Sequence, residues 1–276
     1  MLSPVGSRGV SKELLFHDLL DDAAMFPPGN ADATTALTRH LGYRSGFMDA
    51  FVGPLLVHVD RWQDVVAAHA AIGSPPLEVV VIGGTEVHGA VPGLHVVGFE
   101  LPAHGLPLPQ VAPGLGVACE LRADETGLSL LGAIADAPGH VGKFRTGGTT
   151  PDAFPDEPTL ARVVVAAALA DAPMKYTAGL HHAVRFRDEE SGFEHHGFLN
   201  LLAATHAALL GGTEAEVAKL LGQRDGAVLA ETVRSWSAQD VAGVRRAFVS
   251  FGCCGVEDPV RDLADLGLVD VEKESR

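Results

Sequence analysis

Two lysines stand where a nucleophilic amine could do chemistry. Lys143 in GKFRTGG and Lys175 in MKYTAGLHH end consecutive apolar segments that are typical of β-strands, in a chain with only five lysines. On neighbouring strands and at similar height, the two amines would lie close together, and like charge disfavours protonation of both. A neutral lysine amine can attack a carbonyl carbon and form a Schiff base. The pair therefore predicts a covalent amine site.

The same residues also fit a structural role, which the sequence leaves open. Each lysine could pair with a carboxylate such as Glu120 or Glu100 and tie neighbouring strands together. Arg145 shares one strand face with Lys143, because side chains alternate along a strand with a period of two. A guanidinium there could hold the carboxylate or phosphate of an anionic substrate.

The composition favours an acidic α/β protein. The chain has 276 residues and is 47% hydrophobic, which is enough for one sizeable core. Its net charge of −15 argues against a nucleic-acid partner, because that affinity depends on Lys and Arg neutralising phosphates. We see neither a signal-peptide pattern nor an apolar stretch that could span a membrane. We expect a cytoplasmic protein with a small-molecule carbonyl substrate and with no nucleic-acid or membrane partner.

The elements that would position these side chains form repeated βα units, at spacings of about 20 to 35 residues. Eight such units close most naturally into a single (β/α)8 TIM-type barrel, whose active site lies at the C-terminal strand ends. An open doubly wound sheet is the alternative, but no G-x-G-x-x-G follows the first strand. The predicted strands are Asp21–Phe26, Val52–Val59, Leu77–Ile82, Leu94–Leu101, Gly116–Leu121, His140–Arg145, Met174–Ala178 and Ala247–Phe251.

Two connections differ from the rest. The fourth, 102–114, has four prolines and no helical period, so we expect an irregular crossover. The seventh is long and includes a helix that begins at Thr213, with Glu216 completing a capping box, and another that begins at Ser237. We predict one barrel domain over 1–276, with a helical insertion at about 186–246 that serves as a lid or a subunit contact. Barrels of this kind tend to dimerise, so a homodimer is one expectation.

The C-terminal part of the chain resembles the deoxyribose-phosphate aldolase family. Lys143, Thr146 and Gly147 match the family's K-x-x-T-G strand, and MKYTAGLHH is similar to its K-x-x-G-G-I-R strand, with Lys175 and Gly179 matching. The resemblance implies a class I aldolase barrel in which Lys143 forms the Schiff base. It also implies that Lys175, lying beside it, keeps that amine partly neutral.

Further motifs extend the resemblance to other strands. The family's fourth-strand acid corresponds to Glu100 in VVGFELP, and its opening D-x-T-x-L is similar to FHDLLDDA with Asp18. FGCC, with Gly252, is similar to the F-G-x-S turn that holds the substrate phosphate, whereas GLHH, ending in His182, replaces G-G-I-R. The reaction implied needs no metal or organic cofactor. Lys143, Lys175, Glu100, Asp18 and His181 would carry the chemistry, and Arg145, Thr146, Gly147, Gly179, His182 and Gly252 would bind the substrate.

Histidines and a pair of acids offer other chemistry. His181 follows the seventh strand, where a side chain that titrates near neutral pH could act as a general acid or base. The pairs His181–His182 and His195–His196 could instead bind zinc or iron, which makes a metal-dependent hydrolase or isomerase an alternative function. A non-catalytic metabolite-binding barrel is another alternative. Asp21 and Asp22 could be a proton-transfer site or backbone caps.

Overall fold

Eight parallel strands close into a barrel in the computed structural model, which describes residues 14–87 and 90–270. The predicted (β/α)8 fold is confirmed. Strands β8 and β9 form a separate two-stranded antiparallel hairpin between β7 and β10. The strands are β1 (Leu20–Asp22), β2 (Val52–His58), β3 (Leu77–Ile82), β4 (Leu94–Pro102), β5 (Gly116–Glu120), β6 (His140–Arg145), β7 (Met174–Thr177), β8 (Phe186–Arg187), β9 (Glu194–His195) and β10 (Phe248–Cys253).

Around the barrel the order is β1-β10-β7-β6-β5-β4-β3-β2, and α-helices cover the outside. No helix of the described residues is long and apolar enough to cross a membrane. Short 3-10 helices occupy Phe47–Ala50, Val59–Arg61 and Pro151–Ala153. The α-helices are α1 (Ala33–Arg44), α2 (Trp62–Ala71), α3 (Glu125–Ser129), α4 (Leu131–Ala135), α5 (Glu157–Leu169), α6 (Phe198–Leu209), α7 (Glu214–Leu221), α8 (Gly226–Ser235), α9 (Ala238–Ala247) and α10 (Glu257–Asp265).

The first strand is shorter than its predicted range of Asp21–Phe26. It ends at Asp22, because the Asp22 Oδ1 atom accepts a hydrogen bond of 2.9 Å from the backbone N–H of Ala24 and turns the chain. A second turn follows at once, in which the Phe26 N–H donates to the Ala23 carbonyl at 2.8 Å. The apolar residues after Asp22, at positions 23–26, therefore belong to the loop that follows β1.

The outer and inner faces of the barrel differ in polarity. Tyr176 and Phe251 are completely buried on the outer face, and the Phe198 ring of α6 stacks on Phe251 with a centroid distance of 5.0 Å. Burial of a large apolar side chain of this kind stabilises the fold by about 1.5 to 3 kcal/mol. Lys143 and Lys175 alternate with such residues and point inward. The helices therefore pack against the apolar outer face, while the inner face carries both lysines.

The long connection between β7 and β10 has two parts. The β8–β9 hairpin packs beside the C-terminal end of β7, where His195 Nδ1 lies 3.1 Å from the Gly179 carbonyl oxygen. Helices α6 to α9 continue from it, with α6 packed on α5 and β10, and α7 packed on α5 and α6. These helices lie beside the barrel wall, and the hairpin lies at its rim. The fourth connection, 103–115, contains no helix, as its prolines predict.

The capping box predicted for α7 is present and gives a test of local stability. Thr213 Oγ1 accepts from the Glu216 N–H at 3.3 Å, and Glu216 Oε2 accepts from the Thr213 N–H at 2.8 Å. We expect Thr213→Ala to lower the free energy of unfolding by about 1 kcal/mol, measured by urea denaturation. Thr38→Ala in the middle of α1 is the control and should lower it less. Equal losses in the two variants would contradict the prediction.

Candidate active site

Two lysines and a shared carboxylate meet inside the barrel. Lys143 of β6 and Lys175 of β7 are register partners on neighbouring strands. Glu100 of β4 lies between their amines, with Oε2 at 2.6 Å from Lys143 Nζ and Oε1 in contact with Lys175 Nζ. All three residues are at most 4% exposed. The sequence prediction that the lysines lie side by side is thus consistent with the structure, and a bridging carboxylate joins them.

Two more carboxylates complete the group, which we call the lysine cluster: Asp21, Glu100, Glu120, Lys143 and Lys175. Glu120 Oε2 lies 2.8 Å from Lys143 Nζ, and Asp21 Oδ2 contacts Lys175 Nζ. Each member lies within two residues of the C-terminal end of its strand. That is the end at which TIM barrels carry their active sites.

The electrostatics of the lysine cluster favour a charged Glu100 and a charged Lys175. Burial by itself raises the pKa of Glu100, but the positive charges of Lys175 and Lys143 outweigh burial and hold this pKa at about 2. Burial likewise lowers the pKa of Lys175, but the carboxylates of Asp21 and Glu100 outweigh it and raise this pKa above its usual value. Burial raises the pKa of Asp21 against the opposing effect of Lys175. Lys175 is therefore a fixed cation at neutral pH.

Water reaches the cluster from one side. The side chain of Glu120 is 35% exposed, whereas that of Lys143 is 3% exposed and that of Glu100 is 1% exposed. Strands β2 and β3 continue the barrel wall beyond Glu100. Ile82 of β3 is the register partner of Glu100, and His58 of β2 is the register partner of Ile82. Both His58 and Ile82 are half-buried. Solvent therefore reaches the cluster through the side chain of Glu120.

Asp18 does not belong to this site. It precedes β1 in a left-handed turn with φ of 46°, at the end of the barrel opposite to the lysine cluster. Its side chain is 50% exposed, with Oδ2 at 2.9 Å from His17 Nδ1 and Oδ1 at 3.5 Å from Arg44 Nη1. The acid that β1 contributes is Asp21 instead, since it points inward near the C-terminal end of the strand and also accepts from Ser250 Oγ at 2.8 Å.

Arg145 is the last residue of β6, two positions after Lys143, and its side chain is exposed. It lines a cleft together with Asp152 and Phe154 of the β6–α5 loop. Within residues 14–87 and 90–270, its guanidinium forms no ion pair. This position fits the predicted anion-binding role, because an unpaired guanidinium can still form a bidentate contact with a carboxylate or phosphate.

The T-G-G residues of the β6 motif bring two loops together. Thr146 is completely buried, and its hydroxyl donates to the Ala178 carbonyl at 2.6 Å. A Cβ atom on Gly147 would lie 3.0 Å from the Gly179 Cα atom, and Gly179 has a φ of 77° that favours glycine. Thr146, Gly147 and Gly179 therefore fix the close approach of the loops after β6 and β7.

The end of β10 carries Gly252 and two thiols. Gly252 faces inward, and a Cβ there would lie 3.0 Å from Thr177 Oγ1 and 3.2 Å from Leu56 Cδ1, so the missing side chain lets these residues pack closely against β10. His181 points to this end of β10, with Nδ1 at 3.8 Å from the sulphur atoms of Cys253 and Cys254. Burial, with a smaller effect of other histidines, lowers the pKa of His181. Within the described part of the chain, His181 makes no hydrogen bond or ion pair with either lysine.

The other paired histidines each have a partner of their own. Burial lowers the pKa of His196 to about 4, so its ring is neutral at physiological pH. Among the residues described here, no group of three or more His, Cys, Asp or Glu side chains is arranged to hold a metal ion. The partners are Asp262 for His182, the Gly179 carbonyl for His195, and Arg185 with the Pro155 carbonyl for His196.

Comparisons with known proteins leave the chemistry to be inferred from the barrel itself. No protein-family model matches the chain. No curated protein matches it either. Among solved structures, protein CitE from Mycobacterium tuberculosis, in complex with magnesium and pyruvate, is similar at 17% sequence identity and a TM-score of 0.39, with 80% of this chain and 99% of that chain covered. At this TM-score the likeness carries no inference about substrate or reaction.

Proposed function

We propose that the protein is a class I, Schiff-base aldolase-like lyase that acts on a small aldehyde or ketone. The observation that carries this proposal is the Lys143–Glu100–Lys175 arrangement near the C-terminal strand ends. Buried ion pairs add little net stability, because removing charges from water costs about as much as their attraction returns. Perturbed titratable groups instead gather at functional sites. The resemblance to the K-x-x-T-G strand adds a reason to place the Schiff base on Lys143.

The two lysines would have different roles. Lys175 is held protonated by Asp21 and Glu100, so its amine is not available for attack. Lys143 has one buried partner and one partner that reaches water. Lys143 is therefore the nucleophile and Lys175 the permanent cation.

The reaction would follow from these roles. The Lys143 amine forms a bond to the carbonyl carbon, water leaves, and the resulting iminium withdraws electrons from the adjacent carbon–carbon bond. The bond that breaks joins the α carbon, next to the iminium carbon, to the β carbon, and a carboxylate of the lysine cluster takes the proton of the β-hydroxyl as it breaks. The products are an enamine and a second carbonyl compound. Protonation of the enamine at its α carbon and hydrolysis then restore the lysine. Asp21 takes the place that Asp18 holds in the sequence prediction, and Glu100, in contact with both amines, orients them. Arg145 would hold an anionic group of the substrate.

A structural role is the second candidate, and the pairing of both ammonium groups favours it. The lysine cluster links β1, β4, β5, β6 and β7, so it could serve only to fix these strands in a barrel that binds a metabolite without converting it. Under that hypothesis neither amine would react with a carbonyl compound. The two candidates therefore differ in one chemical property of Lys143.

Trapping with borohydride tests this difference. The protein is incubated with a panel of small aldehydes and ketones, half of which carry a carboxylate or phosphate, and adducts are located by intact-mass and peptide mass spectrometry. We expect a reduced adduct on Lys143, with more adduct from the anionic members because of Arg145. Lys219, exposed on α7, is the internal control for non-specific amine reaction. If no compound of the panel labels Lys143 more than Lys219, the Schiff-base proposal is wrong and the structural role is the remaining candidate.

A further inference from the structure

The proposed mechanism gives Lys143 the role of nucleophile and Lys175 the role of fixed cation, but it gives Glu120 no role. Glu120 nevertheless contacts Lys143. It ends β5 as the register partner of Lys143, and its Oε2 atom lies 2.8 Å from Lys143 Nζ. Its side chain is 35% exposed, compared with 6% for Asp21 and 1% for Glu100. Glu120 is thus the carboxylate of the lysine cluster that is open to water.

The other carboxylates are poorly placed to take a proton from Lys143. Glu100 is enclosed and already shared between two ammonium groups. Asp21 contacts Lys175 and Ser250. A proton passed to either carboxylate would stay inside the barrel. A proton passed to Glu120 can be exchanged with solvent, because part of that side chain is exposed.

We propose that Glu120 is the catalytic acid–base residue that takes the ammonium proton from Lys143 and returns it during Schiff-base formation. This inference rests on the proposed aldolase-like function and adds a residue to it. It also gives a reason for the asymmetry between the lysines, since the structure shows Lys143, and not Lys175, in contact with a carboxylate that reaches water.

The proton balance closes within the site. Glu120 accepts one proton from the Lys143 ammonium, and the neutral amine forms a C–N bond to the carbonyl carbon while the π electrons of the C=O bond move to oxygen. A proton then passes from the new ammonium to that oxygen, which gives the carbinolamine. Glu120 returns its proton to the hydroxyl, the C–O bond breaks, and water leaves. The products are a protonated imine and water, and Glu120 is again ionised.

Glu120→Gln tests this role through the rate of borohydride-trapped adduct formation. The amide preserves the shape of the side chain but cannot accept the proton. We expect the rate to fall about a hundredfold, in the range usual for general acid–base catalysis, and to be restored in part by added formate. Restoration by a small carboxylate is a response that a purely structural role would not give. Glu78→Gln, an exposed position on β3, is the matched control and should react at the wild-type rate.

The outcomes separate this inference from the proposed function. Wild-type adduct with an undiminished rate in Glu120→Gln overturns the role of Glu120 alone. Absence of adduct in the wild-type protein overturns both the function and this role. If Glu120→Gln does not fold, Glu120→Asp, which keeps the charge but withdraws it from Lys143 Nζ, is measured by the same criteria. A slower rate that formate restores supports the proposal, and an unchanged rate overturns it.

Discussion

Replacing Lys143 by methionine is expected to abolish the trapped adduct and to lower substrate turnover more than about 1000-fold, since loss of a covalent nucleophile is among the largest single-residue effects in enzymes. Methionine fills a similar volume and has no amine. Glu100 keeps its contact with Lys175, and Glu120 can turn to water. The variant should therefore fold, which circular dichroism and a thermal scan would verify.

Two companion variants make the result specific to Lys143. Lys219→Met removes an exposed lysine from α7 and should leave both adduct and turnover unchanged. Lys175→Met removes the fixed cation but not the nucleophile, so the adduct should still form on Lys143, at a lower rate. An adduct that persists in Lys143→Met and maps to Lys175 would assign the two roles the other way round.

The barrel itself could be predicted from periodicity, because the buried strands are short and apolar and most of them are followed by a helical pattern. The observed limits of β3 and β6 equal the predicted ones, Leu77–Ile82 and His140–Arg145. The predicted end of β1 was wrong because the residues after Asp22 are apolar and therefore resemble a continuing strand. In the structure, the Asp22 side chain accepts a hydrogen bond from the Ala24 N–H and turns the chain. Such a turn competes with the strand through one hydrogen bond and leaves little trace in hydropathy.

The site was predictable where it depended on neighbouring strands. The pairing of Lys143 with Lys175 follows from the alternation of side chains and the order of the strands, whereas the catalytic assignment of Glu100 follows from the family resemblance. Asp21 in contact with Lys175 depends instead on barrel closure, which inserts β10 between β1 and β7 and brings together residues that are far apart in the chain. No local pattern distinguishes Asp21 from Asp18, because only the observed strand limits show which one points inward.

The direction of the His181 side chain could not be predicted from the sequence either. Its position after β7 suggested contact with the lysines, but the chain turns through Ala178 and Gly179, both with positive φ, and aims the ring at Cys253 and Cys254. A backbone turn of this kind changes the direction of every side chain that follows it. The proton transfers expected of His181 therefore fall to carboxylates of the lysine cluster in the proposed mechanism.

Glu100→Gln is expected to lower the free energy of unfolding by about 3 kcal/mol at neutral pH, because it removes the central charge from two buried ammonium groups. The pKa of Glu100 is about 2 in the folded protein, below its ordinary value of 4.5. The stability that its ionisation contributes is therefore fully present above about pH 4.5 and is lost as the pH falls toward 2. The difference in unfolding free energy between wild type and variant should narrow over this range.

Urea denaturation of wild type and Glu100→Gln, at neutral pH and at steps between about pH 5 and pH 3, measures this dependence. Glu78→Gln, at an exposed position of β3, is the control. Its free energy of unfolding should equal that of wild type at every pH. A loss that stays constant with pH would mean that the amide disturbs packing and that the charge of Glu100 contributes little. A difference in unfolding free energy that becomes smaller as the pH falls would show that Glu100 is ionised between the two lysines. That charge state is required if Lys175 is to remain a cation while Lys143 gives up its proton.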